Sequence, residues 1–177
     1  MRYSNHLLTL VFFCLFLQSL NAQSSPGFIA DILAEMEYVQ GQILQLAEAM
    51  PEDKYSWRPA EGVRSVGEVF MHIGVGDYFS LSYVGGSLPE GFGPDMDKSI
   101  TKKEEIINFL KKSYEHVKKV ISGLKEEDLE KPVDFFGNSS NIRRMLLLLL
   151  YHNHEHLGQS VAYARMNGIT PPWSMKN

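Results

Sequence analysis

Residues 141–167 read NIRRMLLLLLYHNHEHLGQSVAYARMN, and the spacing within this stretch decides the fold. Met145, Leu149, His152, His156, Gln159 and Tyr163 follow one another at steps of four, three, four, three and four. Such steps keep one side of an α-helix in register. Met145 and Leu149 predict that this side turns toward a core, so His152 and His156 turn with it. His154 falls on roughly the opposite side of the helix. Gly168 and then Pro171-Pro172 stop the pattern.

Three earlier stretches carry the same periodicity. In the first, Ile29, Ile32, Leu33, Met36, Val39, Ile43, Leu46, Ala47 and Met50 recur mostly at three- and four-residue steps, and Pro51 ends the run. The second starts at Ser65-Val66-Gly67-Glu68, a capping-box pattern, continues through Val69, Phe70, His72 and Ile73, and closes at Gly85-Gly86. The third runs from about Lys102 to Gly123, with Ile106, Leu110, Val117, Ile121 and Leu124 as its apolar stripe. No stretch makes a convincing sheet; Val133 to Phe136 reads at most as a short, isolated extended segment. The predicted fold is therefore all-α, a four-helix bundle. The Gly- and Pro-rich segment from Gly85 to Ile100 predicts a long crossover connection between helices 2 and 3, or a loop over a site.

The N-terminus predicts a different fate. Arg2, the apolar run Leu7 to Leu20 and the small residue Ala22 have the layout of a secretory signal peptide. The run is short for a membrane span, which needs about 20 residues. Cleavage after Ala22 leaves residues 23–177 as one domain, and export to the periplasm or the extracellular space is expected. The single cysteine, Cys14, leaves with the leader, so the exported chain has no thiol and relies on its core for stability. Losing Arg2 takes the formal charge from −4 to −5. With no basic surplus, nucleic acid and anionic membrane are excluded as natural partners, and a small molecule is the expected one. A homodimer is compatible with the sequence, although no particular residue asks for it.

Three of the six histidines fall between residues 152 and 156. His152 and His156 lie one turn apart and can share a metal ion, but two hydrogen-bonded core histidines would use the same spacing. A third ligand separates the two readings. His72, mid-helix between Phe70 and Ile73 with Gly74 and Gly76 just beyond, has an inward setting with room nearby. His116, beside Glu115, Lys118 and Lys119, reads as a solvated residue. Asp77 is an additional ligand or hydrogen-bond acceptor in one reading and a surface acid in the more ordinary one. Tyr163 reads as a core or interface tyrosine that can also support a ligand. His152-Asn153-His154-Glu155-His156 also matches the H-x-x-E-H protease pattern. The downstream acid expected as that pattern's third ligand is missing from residues 157–177, and the chain is short for such an enzyme.

Four segments together resemble the DinB/YfiT-like superfamily of metal-binding four-helix bundles. They are Met50 to Pro59 with its Trp57-Arg58-Pro59, Arg64 to Glu68 leading to His72, His152-x-x-x-His156-x-Gly158-Gln159, and Arg165 to Pro172. The resemblance spans nearly the whole exported chain. It implies three metal ligands, at positions His72, His152 and His156, and a divalent ion, Zn or Ni first, with Fe or Mn as further options. Leu157 departs from it, standing where many members carry Arg. The bland readings of the remaining motif residues are that Trp57 covers the bundle end, Arg58 caps carbonyls, Gly158 allows close helix packing and Gln159 bonds a ligand or a histidine.

Two functions follow from this reading. The first is a metal-dependent enzyme acting on a small molecule, a thiol transferase or a hydrolase; export weighs against the transferase, whose usual thiol cofactors are cytosolic. The second is a non-catalytic envelope or stress protein in which the metal is structural. No general base stands out, since Glu155 points away from both neighbouring histidines.

Overall fold

The computed structural model of the chain describes residues 27–175. The expected signal peptide, residues 1–22, lies outside them. The helices start and stop where the punctuation residues stand. Helix α1 (Phe28–Ala49) ends ahead of Pro51, because proline has no N–H to continue the ladder and disfavours helix in the residue before it. Helix α2 (Val66–Ser82) opens on the predicted capping box: Ser65 Oγ accepts from the Glu68 N–H at 3.3 Å, and the Ser65 N–H donates to Glu68 Oε2 at 2.7 Å. Helix α3 (Lys103–Ser122) and helix α4 (Ile142–Met166) complete the set. Asn141 caps α4 by accepting from the Arg144 N–H at 2.9 Å.

The Ser65 cap starts the helix that carries His72. Ser65→Ala removes the side-chain acceptor for the Glu68 N–H and is expected to cost about 1 kcal/mol of stability, read as a lowered urea midpoint at unchanged slope.

Each of α1 and α2 packs against both α3 and α4. Consecutive helices α1 and α2 therefore stand diagonally across the bundle, and the four apolar stripes close on one core. Val39, Ile43 and Leu46 of α1 meet Phe70, Met71 and Ile73 of α2, with Leu110, Ile121 and Leu149 from the other two helices, all fully buried. Burying each such side chain contributes about 1.5–3 kcal/mol. The connection between the second and third bundle helices is long, as expected. It holds a one-turn helix, Met96–Ser99, that packs back onto α2. Among the described residues no helix is long and apolar enough to cross a membrane.

One element differs from the sequence reading. Strand β1 (Pro132–Phe135) pairs antiparallel with β2 (Asn138–Asn141), so a hairpin stands where an isolated segment was expected. Its two-residue turn, Phe136-Gly137, has φ +53° and +77°, the backbone of a type I′ turn. That turn ordinarily announces itself as Asn-Gly. A phenylalanine in this left-handed region costs about 1–2 kcal/mol, and nothing in a Phe-Gly pair signals a hairpin.

Candidate metal centre

His72 comes from α2, and His152 and His156 come from successive turns of α4, the helix packed beside it. One ring nitrogen from each lies within 4.8 Å of the other two. His72 Nε2 and His152 Nε2 are 3.2 Å apart. Two nitrogens bound to one tetrahedral ion at about 2.0–2.1 Å would stand about 3.3 Å apart, so these two already have the spacing a shared ion needs. The rings meet edge to face, with centroids 4.5–5.0 Å apart.

Two of the rings, His72 and His152, are held neutral. Burial, then the charges of Arg64 and His156, bring His72 down to about 4. Burial, then His156 and His72, bring His152 down to about 3. Neutral imidazole is the ligating form. His156 Nδ1 is 2.8 Å from Gln159 Oε1, and Gln159 Nε2 donates to the Tyr163 hydroxyl at 3.0 Å. This chain puts the His156 proton on Nδ1 and leaves Nε2 with a free lone pair. On the far side of His72, Asp97 Oδ2 lies 3.8 Å from Nδ1 and accepts from Arg64 Nε at 3.1 Å. His152 Nδ1 is buried with no protein partner, and its Nε2 faces His72 Nε2.

The ring of His152 fits only because α2 carries Gly76. A Cβ there would land on the imidazole. Gly76 thus does what was expected of Gly158, which is exposed and has open space at its Cβ position. A cavity of about 690 Å³ opens beside His72 and His152, with Arg64, Asp97 and the loop residues Phe92 to Pro94 in its wall. The crossover connection is therefore also the loop over the site.

Other residues depart from expectation. Asp77 is fully buried and belongs to the core, not to the surface or the histidine cluster. It accepts from Asn153 Nδ2 at 2.8 Å, and its Oδ2 is 3.0 Å from Ser113 Oγ, so one acid ties α2, α3 and α4 together. Burial pushes its carboxyl up to about 7 against the lowering effect of those two contacts. His116 is half-buried, stacked on Tyr78 at 4.9 Å, where a solvated face was expected. His154 and Glu155 are exposed and outside the cluster, as read. Trp57 packs edge-on against Tyr163 at 5.4 Å, and Arg58 donates to the Val63 carbonyl at 2.8 Å. Leu157 is buried in the core. Asp97 was not singled out by the sequence, because it approaches His72 only through the fold of the long connection; Arg64 was read only as part of the segment leading to His72.

The family model for the DinB superfamily matches residues 35–160. The chain belongs to the DinB superfamily. A DinB relative, the uncharacterized protein YjoA of Bacillus subtilis, is 30% identical over 130 residues, covering 71% of this chain and 82% of YjoA. A DinB-like protein from Bacillus cereus superposes with a TM-score of 0.72 at 22% identity, over 80% of this chain and 93% of that one. YfiT from Bacillus subtilis, a probable metal-dependent hydrolase with an unusual four-helix bundle topology, superposes with a TM-score of 0.65 at 14% identity, over 83% and 93% of the two chains.

Proposed function

We propose that this DinB protein is an exported, divalent-metal-dependent hydrolase of small molecules, with His72, His152 and His156 as the metal ligands. The observation that carries the reading is the convergence of three imidazoles, two of which, His72 and His152, line a cavity of substrate size. Among the described residues no fourth His, Cys, Asp or Glu joins the group. Three protein ligands with positions left over is the pattern of a catalytic rather than a closed structural site, which favours the enzyme over the purely structural alternative. The description of YfiT as a probable metal-dependent hydrolase supports the same reaction class.

When bound, a divalent ion in such a site supplies a water nucleophile near neutral pH and polarises the scissile carbonyl. The chain's own groups do the rest. Gln159 and Tyr163 hold His156 in the ligating tautomer. Asp97 sits behind His72 and is itself steadied by Arg64. The cavity wall orients the substrate beside the histidines. Imidazole ligands leave the metal open; Zn and Ni are the first candidates, followed by Fe and Mn.

The test is metal content of residues 23–177, purified without a His-tag, beside the His152→Ala/His156→Ala double variant. Near-stoichiometric divalent metal is expected in the wild type and less than a tenth of that in the variant, with metal-dependent hydrolysis of simple aryl esters lost in parallel. A wild type that takes up neither Zn nor Ni overturns the proposal.

A further inference from the structure

Part of the cavity lining is aromatic. Phe79 of α2, Phe92 of the connection and Phe135 of β1 all line it, half-buried, with Leu148 and Val75 between them. Phe79 and Phe135 belong to a larger cluster. Phe79 packs on Tyr83 at 5.4 Å, Tyr83 on Phe135 at 5.1 Å, and Phe135 on Phe136 at 4.8 Å. Phe136 closes the ring by lying 5.9 Å from Phe79. The polar groups of the same lining, Arg64, Asp97, His72 and His152, lie close to one another.

Phe136 is hard to explain by stability alone. It is 71% exposed and sits at φ +53° in a turn that Asn would occupy without strain. Strain held at a residue that props one wall of a cavity is a functional signature. The cluster also fixes the hairpin against α2, so that Phe135 faces the cavity.

We propose that the cavity selects substrates bearing a flat aromatic group, which lies against Phe79, Phe92 and Phe135 while the bond to be broken points at the histidines. This rests on the metal-dependent reading above and names the substrate class for that site. Edge-to-face and offset contacts with three rings favour an aryl group over an alkyl group of equal size. Phe136 is a positioning residue: it touches Phe79 and Phe135 and is not itself part of the cavity lining.

The test uses metal-loaded protein and three hydroxamic acids that share one metal-binding head: benzohydroxamic, hexanohydroxamic and acetohydroxamic acid. Benzohydroxamate is expected to bind at least about tenfold tighter than acetohydroxamate and several-fold tighter than hexanohydroxamate. Phe79→Ala should collapse the aryl preference to under about threefold. Phe136→Asn should weaken benzohydroxamate several-fold with acetohydroxamate unchanged, while raising Tm by about 2–4 °C as the turn relaxes. Bound metal with equal affinity for benzohydroxamate and hexanohydroxamate overturns the aromatic assignment and leaves the metal reading standing. Protein that holds no metal overturns both. A Phe136→Asn protein with unchanged benzohydroxamate affinity removes Phe136 from the proposal.

Discussion

Between pH 5 and pH 8 the metal-free protein should lose about 2–3 kcal/mol of stability relative to an Asp77→Asn variant. The carboxyl of Asp77 is fully buried between three helices and raised to about 7 from an ordinary 3.8. The geometry agrees with a retained proton. Ser113 Oγ faces both Asp77 Oδ2 at 3.0 Å and the Leu110 carbonyl at 2.9 Å. Its single proton serves one acceptor at a time, and a neutral carboxyl can donate the other bond. The sign follows from linkage. Between about pH 4 and pH 7 the folded chain holds a proton the unfolded chain has released, so stability falls as pH rises, by about 1.36 kcal/mol per unit. The full difference is on the order of 4 kcal/mol and is complete above the folded value. His72 and His152, held neutral by burial, tilt the curve the other way between their folded values of about 4 and 3 and the ordinary 6.5. They do so equally in both proteins, so the difference between the two curves isolates Asp77. Urea titrations at half-unit pH steps in the presence of a chelator measure it. Parallel curves for the two proteins would mean that Asp77 is ionised in the fold.

Gly76→Ala is expected to abolish useful metal binding while leaving a folded bundle. The new methyl group would occupy the place of the His152 imidazole, and that ring must swing away from its position 3.2 Å from His72. Overpacking of this kind costs about 1–3 kcal/mol in stability, and a displaced ligand should cost at least about 100-fold in metal affinity. Gly41→Ala is the control: it also lies inside a helix, but a Cβ there meets nothing within 4 Å. It should gain about 0.5–1 kcal/mol with metal affinity unchanged. Calorimetric Zn titration of both variants gives the comparison, and full affinity in Gly76→Ala would detach His152 from the site.

The bundle was legible because helical periodicity and its punctuation are local properties. Ser65, Asn141, Pro51 and Gly168 mark helix ends through their own backbone and side-chain chemistry, and the stripe ending in His152 and His156 reports directly on what faces the core. The histidine cluster was legible for the same reason, once His72 was seen on a second inward-facing stripe. What stayed hidden depends on tertiary approach. Asp77 looks like a surface acid until Ser113 and Asn153 arrive from two other helices. Asp97 reaches His72 only after the connection folds back over α2. Gly158 and Gly76 are alike as letters; their difference lies in which one has an imidazole opposite it. The hairpin was missed because its turn uses a residue that the turn does not favour.

All three imidazoles stand on α2 and α4, and the packing of those two helices is fixed independently by the aliphatic core and by Asp77 with Asn153. An ion bound between them is a guest in a finished building. Chelators should strip it without melting the bundle, and a different ion should enter the same place. In the Irving–Williams series copper outcompetes nickel and zinc at nitrogen sites, so the occupant is set by supply more than by the pocket. Protein made in a foreign host would then carry that host's available metal. Its composition on purification records where the chain was made, and the working metal must be found by reconstitution in the compartment the chain serves.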